Sequence, residues 1–436
     1  MDMGRVPLAA VTTRLGLLQR GRGAGWLAAG AAGSAAADEL LHCVRNDPRY
    51  DLFIEERERY YGELLVGLAV PLRPLLVELA DQPELQLAHG VLAAAWCLGH
   101  PEVRAFLADH GDGPLLAHLV AELYDRRWAR AVDLPQAAAR EWLRLAASEG
   151  DSAEAVPGRN RPTRYGQLSV QELLDLVRPP SREYGSRVIG ELCARGDEAT
   201  RQILAKVVAD DVLYERVRVA AQALGTMGDE RVLDLAESLF AREDVFHDPR
   251  RRLHGFERMR RLCLSDYVVC LPPARARVLA RRYMELGGFF ETVAGRIFAE
   301  HATAADRALL EARIAEKRRT GDDLDTILEL EGLARLGDPR SAPLLVELAT
   351  TTDYSLARMR AIAALSAMPE APGAAGLLHE ALWDCESEAA AIACGFAPLD
   401  APASERPRQL AGSPLVESEL AGRAARRAAA AAQPRT

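Results

Sequence analysis

Residues Tyr184–Asp244 read YGSRVIGELCARGDEATRQILAKVVADDVLYERVRVAAQALGTMGDERVLDLAESLFARED and contain the clearest helical pattern of the chain. Two apolar helical patterns in it end at a Gly-Asp pair, at residues 196–197 and 228–229, and a second helical pattern follows each pair at once. Glycine adopts the left-handed conformation that ends a helix, and aspartate accepts hydrogen bonds from the free amides of the next helix. The pairs lie 32 residues apart, which is the period of a two-helix repeat.

A third Gly-Asp pair, Gly337-Asp338, stands in LARLGDPRSAPLLVELA, where Pro339 occupies a first-turn position that needs no amide hydrogen. Two further segments match each other: RVRVAAQAL at residues 216–224 and RMRAIAALS at residues 358–366 place arginines and small residues at the same positions. Small residues let neighbouring helices approach closely, as stacking requires. Together these patterns predict an all-α fold, an α-solenoid of antiparallel helix pairs.

The composition favours helix and excludes several classes of protein. The 436 residues are 49% hydrophobic but only 6% aromatic, and the dominant alanine and leucine are strong helix formers. The formal net charge of −9 argues against a protein that coats nucleic acid with its whole surface. No apolar run reaches the ~18 residues of a membrane span, so no membrane partner is expected. The seven cysteines include no Cys-x-x-Cys pair, which predicts a reduced, cytoplasmic protein.

Changes in composition predict the domain boundaries. Residues 149–167, EGDSAEAVPGRNRPTRYGQ, are polar and lack apolar periodicity, so we expect a linker or bend there. An irregular helical-repeat half is expected over residues 1–148, and a regular repeat array over residues 168–397. From residue 398 the chain carries repeated prolines and an alanine- and arginine-rich end, which predicts a disordered tail over residues 398–436.

The segments GDERVLDLAESL and GDPRSAPLLVELA, each preceded by an alanine- and leucine-rich helical pattern, resemble HEAT repeats of the bacterial type, which are also seen in phycobilin lyase subunits. The N-terminal NDPRYDLFIEERERYY and the late LWDCESE are similar to stretches of uncharacterised actinobacterial HEAT-repeat proteins. The resemblance implies a superhelix of antiparallel helix pairs that serves mainly as a binding surface, and only occasionally as an enzyme. It implies no particular activity, because one fold carries many functions.

Positive charge is concentrated in residues 247–320, where sixteen basic residues stand against nine acidic ones. Arginine forks on one face would bind phosphate or carboxylate. The candidate anion- or partner-binding residues are Arg250, Arg251, Arg252, Arg258, Arg261, Arg275 and Arg281. The alternative is that these side chains are solvated or pair within the array. If they form a free patch, charge reversal at Arg251, Arg258 and Arg281 leaves thermal stability nearly unchanged.

A second candidate set is rich in tyrosine and arginine, the residues enriched at interface hot spots. Its members are Arg49, Tyr50, Arg57, Tyr60 and Tyr61. The alternative is a capped amphipathic helix that packs on its neighbours. The same stretch therefore predicts either an interface with a partner or an internal contact.

No catalytic, metal or cofactor site is predicted. His247, His254, Cys263 and Cys270 match no compact zinc spacing. A second loose set is His379, Cys385 and Cys394. Isolated cysteines and histidines of this kind are usually buried. No glycine-rich phosphate loop follows a strand, because no strand is expected.

The expected function is therefore a non-enzymatic protein–protein interaction scaffold or adaptor, whose protein partner the sequence does not identify. The first alternative is a nucleic-acid-binding protein, or a base-excision protein resembling the HEAT-like DNA glycosylases, that uses the basic segment 247–320. The second alternative is a lyase or a chaperone-like partner of a small-molecule enzyme, which would need an apolar pocket.

Overall fold

The computed structural model describes residues 6–52, 54–81, 85–109, 114–126, 128, 165–177, 182–242, 255–321, 326–396 and 401–431. Within these ranges the regular elements are helices and no strand is present, which confirms the all-α prediction. None of the helices described is both long enough and apolar enough to cross a membrane.

The chain divides into two compact units. Unit 1 draws its residues from Met1–Val156, Ala315–Ile327 and Gly337–Thr436, and unit 2 draws its residues from Pro157–Ile314 and Leu328–Leu336. The first eight helices, all in unit 1, are α1 (Arg14–Gln19), α2 (Gly23–Ala32), α3 (Ala37–Arg45), α4 (Glu58–Gly67), α5 (Arg73–Asp81), α6 (Gln86–Cys97), α7 (Pro101–Asp109) and α8 (Pro114–Asp125).

The remaining helices follow in chain order. Those of unit 2 are α9 (Val170–Asp175), α10 (Arg182–Arg195), α11 (Glu198–Asp210), α12 (Tyr214–Thr226), α13 (Leu233–Phe240), α14 (Gly255–Val269), α15 (Pro273–Leu286), α16 (Phe289–His301), most of α17 (Arg307–Thr320) and α18 (Ile327–Leu336). The chain then returns to unit 1 with α19 (Ala342–Thr351), α20 (Ser355–Ser366), α21 (Ala374–Glu380), α22 (Ser387–Phe396), α23 (Ala401–Gly412) and α24 (Ser418–Ala431).

The Gly-Asp pairs form the turns that the sequence predicts. Gly196 and Gly228 have φ angles of 51° and 65°, in the left-handed region that favours glycine. Asp197 Oδ1 accepts a hydrogen bond from the Thr200 amide at 2.7 Å and so caps α11. Asp229 Oδ1 accepts one from the Arg231 amide at 3.1 Å. The turns are tight because the glycine takes the left-handed conformation and the aspartate accepts a hydrogen bond from a backbone amide two or three residues farther on.

Successive hairpins of unit 2 pack through their first helices. Helix α10 contacts α12, α12 contacts α14, and α14 contacts α16. Val217, Ala220, Ala221 and Leu224 of α12 are fully buried and follow the i, i+3, i+4, i+7 spacing of one helix face. A Cβ on Gly225 would lie only 2.3 Å from the carbonyl oxygen of Tyr267 in α14. Small residues are therefore what allow α12 and α14 to approach so closely.

The hydrophobic core of unit 1 draws on both ends of the chain. One buried cluster extends from Leu18 to Trp128 and includes Cys385 and Leu415 from the C-terminal part. A second cluster is built from α20–α24, and Trp26 of α2 packs against both clusters. The helices after Gly337 belong to the same compact unit as the N-terminal helices, whereas the sequence-based division grouped residues 168–397 together. Most of the predicted linker, 149–167, lies outside the described residues.

Within the segment predicted as a disordered tail, 398–436, the described residues 401–431 form α23 and α24. These two helices pack against each other, and α24 packs against α22. Leu410 is fully buried, and the buried Arg406 donates to Glu63 Oε2 at 2.7 Å. The proline and alanine content suggested disorder, whereas a few well-placed contacts hold the segment on unit 1.

Candidate functional site

The candidate arginines of the basic segment do not form a free cluster in the part of the chain that is described. Three of them, Arg250, Arg251 and Arg252, lie outside the described residues. Arg258 is exposed. Arg261 is buried: its Nη1 donates to the carbonyl of Arg242 at 3.3 Å, and its guanidinium lies 4.1 Å from the centroid of the Phe289 ring. Arg261 therefore packs inside unit 2, against Phe289 and the backbone of Arg242.

The other two candidates are paired with carboxylates of unit 2. Arg275 Nε and Nη2 donate to the two carboxylate oxygens of Glu230, each at 2.7 Å. Arg281 Nη2 donates to Asp306 Oδ1 at 2.6 Å. The alternative interpretation, pairing within the array, therefore describes both residues, and their guanidinium groups are already engaged by carboxylates.

The Arg281–Asp306 pair is partly internal. Asp306 is 1% exposed, and its Oδ2 accepts hydrogen bonds from the backbone amide and the hydroxyl of Thr303 at 2.9 and 2.8 Å. Burial alone would raise the pKa of Asp306, but the hydrogen bonds from Thr303 and Arg281 outweigh it and the pKa is lowered. Asp306 is therefore an ionised carboxylate that depends on these donors.

We expect Arg281→Ala to lower the free energy of unfolding by about 1–2 kcal/mol, because it removes a charged donor from a buried carboxylate. The estimate is moderate because the Arg281 side chain is half exposed. Arg275→Ala is the matched control: it lies on the same helix, its partner Glu230 is 44% exposed, and its effect should stay within about 0.5 kcal/mol. Thermal unfolding followed by circular dichroism measures both. Equal losses would contradict this account, whereas a loss at Arg281 alone would refute the sequence-based expectation of unchanged stability.

The second candidate set, expected at an interface, is largely internal. Arg49, Arg57, Tyr60 and Tyr61 are buried and Tyr50 is half-buried. The Tyr60 hydroxyl donates to the carbonyl of Arg22 at 2.7 Å, and the Tyr61 hydroxyl donates to that of Leu18 at 2.9 Å. These side chains are therefore unavailable to an external partner. Of the two possibilities that the sequence left open, the contacts of Tyr60 and Tyr61 correspond to the internal one: the residues are hot-spot types, but the surface they contact belongs to their own chain.

Arg57 belongs to a set of buried polar residues that joins distant parts of the sequence. The set, here called the buried polar cluster, consists of Glu55, Arg57, Ser355, Arg358, Asp384, Cys385 and Glu386. Arg358 binds Asp384 with both ends of its fork, Nε to Oδ2 at 2.8 Å and Nη2 to Oδ1 at 3.0 Å. Arg57 Nη2 donates to Glu55 Oε1 at 3.2 Å, and its Nη1 donates to Cys385 Sγ at 2.8 Å.

The backbone around the cluster is held by the same two segments. Arg59 Nη2 donates to the carbonyls of Asp384 and Cys385 at 3.0 and 3.1 Å. Glu56 Oε2 accepts hydrogen bonds from the backbone amide and hydroxyl of Ser387, at 3.1 and 2.7 Å, so it caps the start of α22. A carboxylate is favourable at a helix N-terminus. The segment that leads into α4 thus provides the hydrogen-bond partners for the free backbone groups before and at the start of α22.

The chemistry of the cluster is structural. Cys385 is fully buried, and burial raises the pKa of its thiol well above the ordinary value although Arg57 acts in the opposite direction. A neutral thiol without solvent access is not a nucleophile. Among the described residues, the Nε of Arg57 and the Nη1 of Arg358 find no hydrogen-bond partner. The cluster is therefore a set of desolvated charges whose pairing keeps two segments together.

Four of the exposed apolar side chains of unit 2 form a second candidate site. Val212, Leu213, Tyr214 and Phe256 are 53%, 55%, 43% and 56% exposed. We call these four residues the apolar patch. The first three follow one another at the turn between α11 and α12, and Phe256 lies in the first turn of α14.

The segment that carries the first three residues of the apolar patch contacts the helix that carries Phe256. Arg260 Nη2, one turn along α14 from Phe256, donates to the carbonyl of Asp211 at 3.0 Å, and Asp211 directly precedes Val212. One turn farther along, Cys263 Sγ lies 3.9 Å from the carbonyl oxygen of Tyr214. This patch was not predicted from the sequence. The sequence does contain one indication of it: three apolar residues follow directly after the Asp-Asp pair at which α11 ends.

The residues weighed for metal binding do not come together in the described part of the chain. His247 and His254 lie outside it. Burial raises the pKa of Cys263 to about 12 and that of Cys270 to about 11. No group of three or more metal-ligating side chains is found among the described residues.

Comparison with known proteins adds no identity. No protein-family model matches the chain, and no curated protein matches it significantly.

Proposed function

We propose that this chain is a non-enzymatic protein-binding scaffold, built as a solenoid of HEAT-like helix pairs, whose partner docks on the apolar patch of unit 2. The series of contacts from α10 through α12 and α14 to α16 supports the stacked arrangement, because each hairpin buries its seam against the next one. The exposure of Val212, Leu213, Tyr214 and Phe256 is the observation that carries the binding proposal.

The apolar patch favours a protein partner for two reasons. Contiguous exposed apolar area is disfavoured in water by roughly 25 cal/mol per Å², and covering it is favourable by the same amount. Tyrosine and phenylalanine also supply large, rigid contact areas, and aromatic residues are enriched in interface cores. Tyr214 and Phe256 would be the anchors of such an interface, with Val212 and Leu213 between them.

The same geometry gives less support to a nucleic-acid partner. Arg275 and Arg281, the two basic candidates on α15, are engaged by carboxylates. A nucleic-acid face would need free guanidinium groups along the backbone path. The basic segment is therefore the poorer candidate for the binding face.

The proposal is tested by affinity capture from the native host with the full chain, the double variant Leu213→Ser/Phe256→Ser, and the control Val278→Ser. Val278 is 56% exposed and lies on α15, outside the apolar patch. We expect the same protein to be retained by the wild type and the control, and to be lost at least about tenfold from the double variant, which corresponds to about 1.4 kcal/mol. All three chains should unfold at the same temperature.

Equal retention on all three chains would exclude the apolar patch as the binding face. Binding to random duplex DNA at low salt, with a steep loss of affinity on addition of salt, would favour the nucleic-acid alternative.

A further inference from the structure

One hydroxyl group in the buried polar cluster lies between two carboxyl groups. Ser355 Oγ lies 2.7 Å from Glu55 Oε1 and also within hydrogen-bonding distance of Glu386 Oε1. A serine hydroxyl has a single proton to donate. If both carboxyl groups were ionised, one of the two oxygen–oxygen contacts would contain no proton. When two carboxyl groups share a site, the pKa of one of them is raised, which favours an arrangement in which one holds a proton.

The surrounding donors show which carboxyl group is ionised. Glu55 Oε1 accepts hydrogen bonds from the Ser355 amide at 2.8 Å and from Arg57 Nη2 at 3.2 Å. Its Oε2 accepts from the backbone amides of Tyr50 and Asp51. Burial alone would raise the pKa of Glu55, but Arg57 and the hydrogen bonds from Ser355 lower it. Glu55 is therefore the carboxylate of the pair.

Glu386 has fewer compensating contacts. Its Oε1 accepts from the backbone amide of Glu56 at 3.2 Å, and Arg57 Nη1 lies 3.6 Å away. Burial, together with the negative charge of Glu56, raises the pKa of Glu386 to about 8. The geometry at Ser355 and the pKa direction thus agree that Glu386 is the protonated partner.

We propose that the Glu386 carboxyl group is protonated at neutral pH and donates a hydrogen bond to Ser355 Oγ. Loss of this proton in mildly alkaline solution loosens the contact between residues 55–57 and residues 384–387. The contact is a pH-sensitive latch inside unit 1. The latch is independent of the apolar patch and therefore of the proposed function.

The groups around Glu386 make its ionisation costly. The titratable, charged and hydroxyl-bearing side chains that face it are Glu55, Glu56 and Arg57 before α4, Tyr354, Ser355 and Arg358 at the start of α20, and Asp384 and Cys385 in its own segment. With Glu386 neutral, Arg57 and Arg358 balance Glu55 and Asp384. Ionisation adds a negative charge beside Glu56, without solvent to screen it.

The sign of the pH effect follows from the raised pKa. A group whose pKa is higher in the folded state stabilises the fold fully below its unfolded pKa, and this stabilisation is lost as the pH rises through the folded value. For Glu386 the window extends from about 4.3, the ordinary value, to about 8. Within it, the unfolding constant should rise by up to about tenfold per pH unit relative to a chain without this group.

The test compares Glu386→Gln with the wild type. Glutamine is neutral at every pH and its amide can donate to Ser355. Glu388→Gln is the matched control, because Glu388 is two residues away and 56% exposed. Urea unfolding is measured between pH 5 and pH 9, with hydrogen exchange of residues 50–60 and 380–388 at pH 7 and pH 9, corrected for intrinsic rates.

We expect the wild type and the Glu388→Gln control to lose stability relative to Glu386→Gln as the pH rises, and to exchange faster in both segments at pH 9. Parallel pH profiles for all three chains, or exchange that is equal at both pH values, would overturn the latch.

A second measurement does not depend on how the variant folds. An infrared titration of the wild type should show a protonated carboxyl band at neutral pH that disappears with a midpoint near pH 8. Absence of a titrating carboxyl band in that range would equally overturn the proposal.

Discussion

Replacing Arg358 with methionine should lower the free energy of unfolding of unit 1 by about 3–5 kcal/mol. Arg358 is 1% exposed and binds both oxygens of Asp384, which is also 1% exposed. Methionine retains an apolar stem of similar length but leaves the carboxylate buried without its partner. Removal of one member of a buried ion pair costs about this much because the remaining charge is uncompensated. Urea unfolding followed by tryptophan fluorescence measures the change.

The control for this substitution is Arg360→Met. Arg360 lies two residues farther along the same helix, and its partner Glu388 is 56% exposed. Exposed ion pairs contribute about 0–1 kcal/mol, so a change no larger than that is expected. If Arg358→Met were as mild as Arg360→Met, the buried polar cluster would not be what holds the two segments of unit 1 together.

The substitution Gly23→Ala should be similarly damaging, at about 3 kcal/mol. A Cβ at this position would lie 1.9 Å from the carbonyl oxygen of Glu380 and 2.8 Å from its carbonyl carbon. Backbone atoms cannot rotate away, so α2 must shift. The shift would strain the pairing of Arg22 with Glu380, whose two contacts are 2.9 Å each, and the hydrogen bond from Tyr60 to Arg22. Overpacking of this kind costs about 1–3 kcal/mol, and more where the neighbour is rigid.

Gly30→Ala tests whether the effect at Gly23 comes from the contact and not from the helix. Gly30 lies in the same helix, and nothing is within 4 Å of the position that its Cβ would take. Alanine favours a helix interior over glycine by about 0.5–1 kcal/mol, so Gly30→Ala should leave unit 1 unchanged or stabilise it. Urea unfolding of both variants decides the matter. Loss of stability in both would show that the close approach to Glu380 is not the cause.

Local structure could be predicted from the sequence where it depends only on residues that are close in the chain. The Gly-Asp pairs at 196–197 and 228–229 require only that glycine adopt a positive φ and that aspartate accept a hydrogen bond from a nearby backbone amide. Asp197 thereby caps α11, whereas Asp229 binds the Arg231 amide within the turn before α13. The buried face of α12 follows from the spacing of Val217 and Leu224 in the same way. These features depend on residues within one or two helical turns of each other, so a single pattern contains all the necessary information.

The burial and the partners of the candidate site residues could not be predicted in this way, because both depend on distant parts of the chain. For the tyrosines and arginines before and within α4, the sequence left open an interface with a partner or an internal contact. Tyr60 and Tyr61 bind the backbone of Arg22 and Leu18. Tyr50 and Arg57 contact Tyr354 and Cys385, some 300 positions away in the same chain. Nothing in NDPRYDLFIEERERYY distinguishes a partner in another protein from a partner in the same one. The apolar patch was not predicted for the same reason: whether an apolar side chain is exposed depends on which distant segments pack against it.

The helical class of the described residues and the position of many turns follow from local sequence, since backbone conformation and helix caps are satisfied by immediate neighbours. Long-range packing sets which charges are buried, which arginines have carboxylate partners, and that the helices within residues 401–431 pack against the rest of unit 1. These outcomes depend on desolvation and on long-range pairing. Both are set by segments that become adjacent only after the chain has folded.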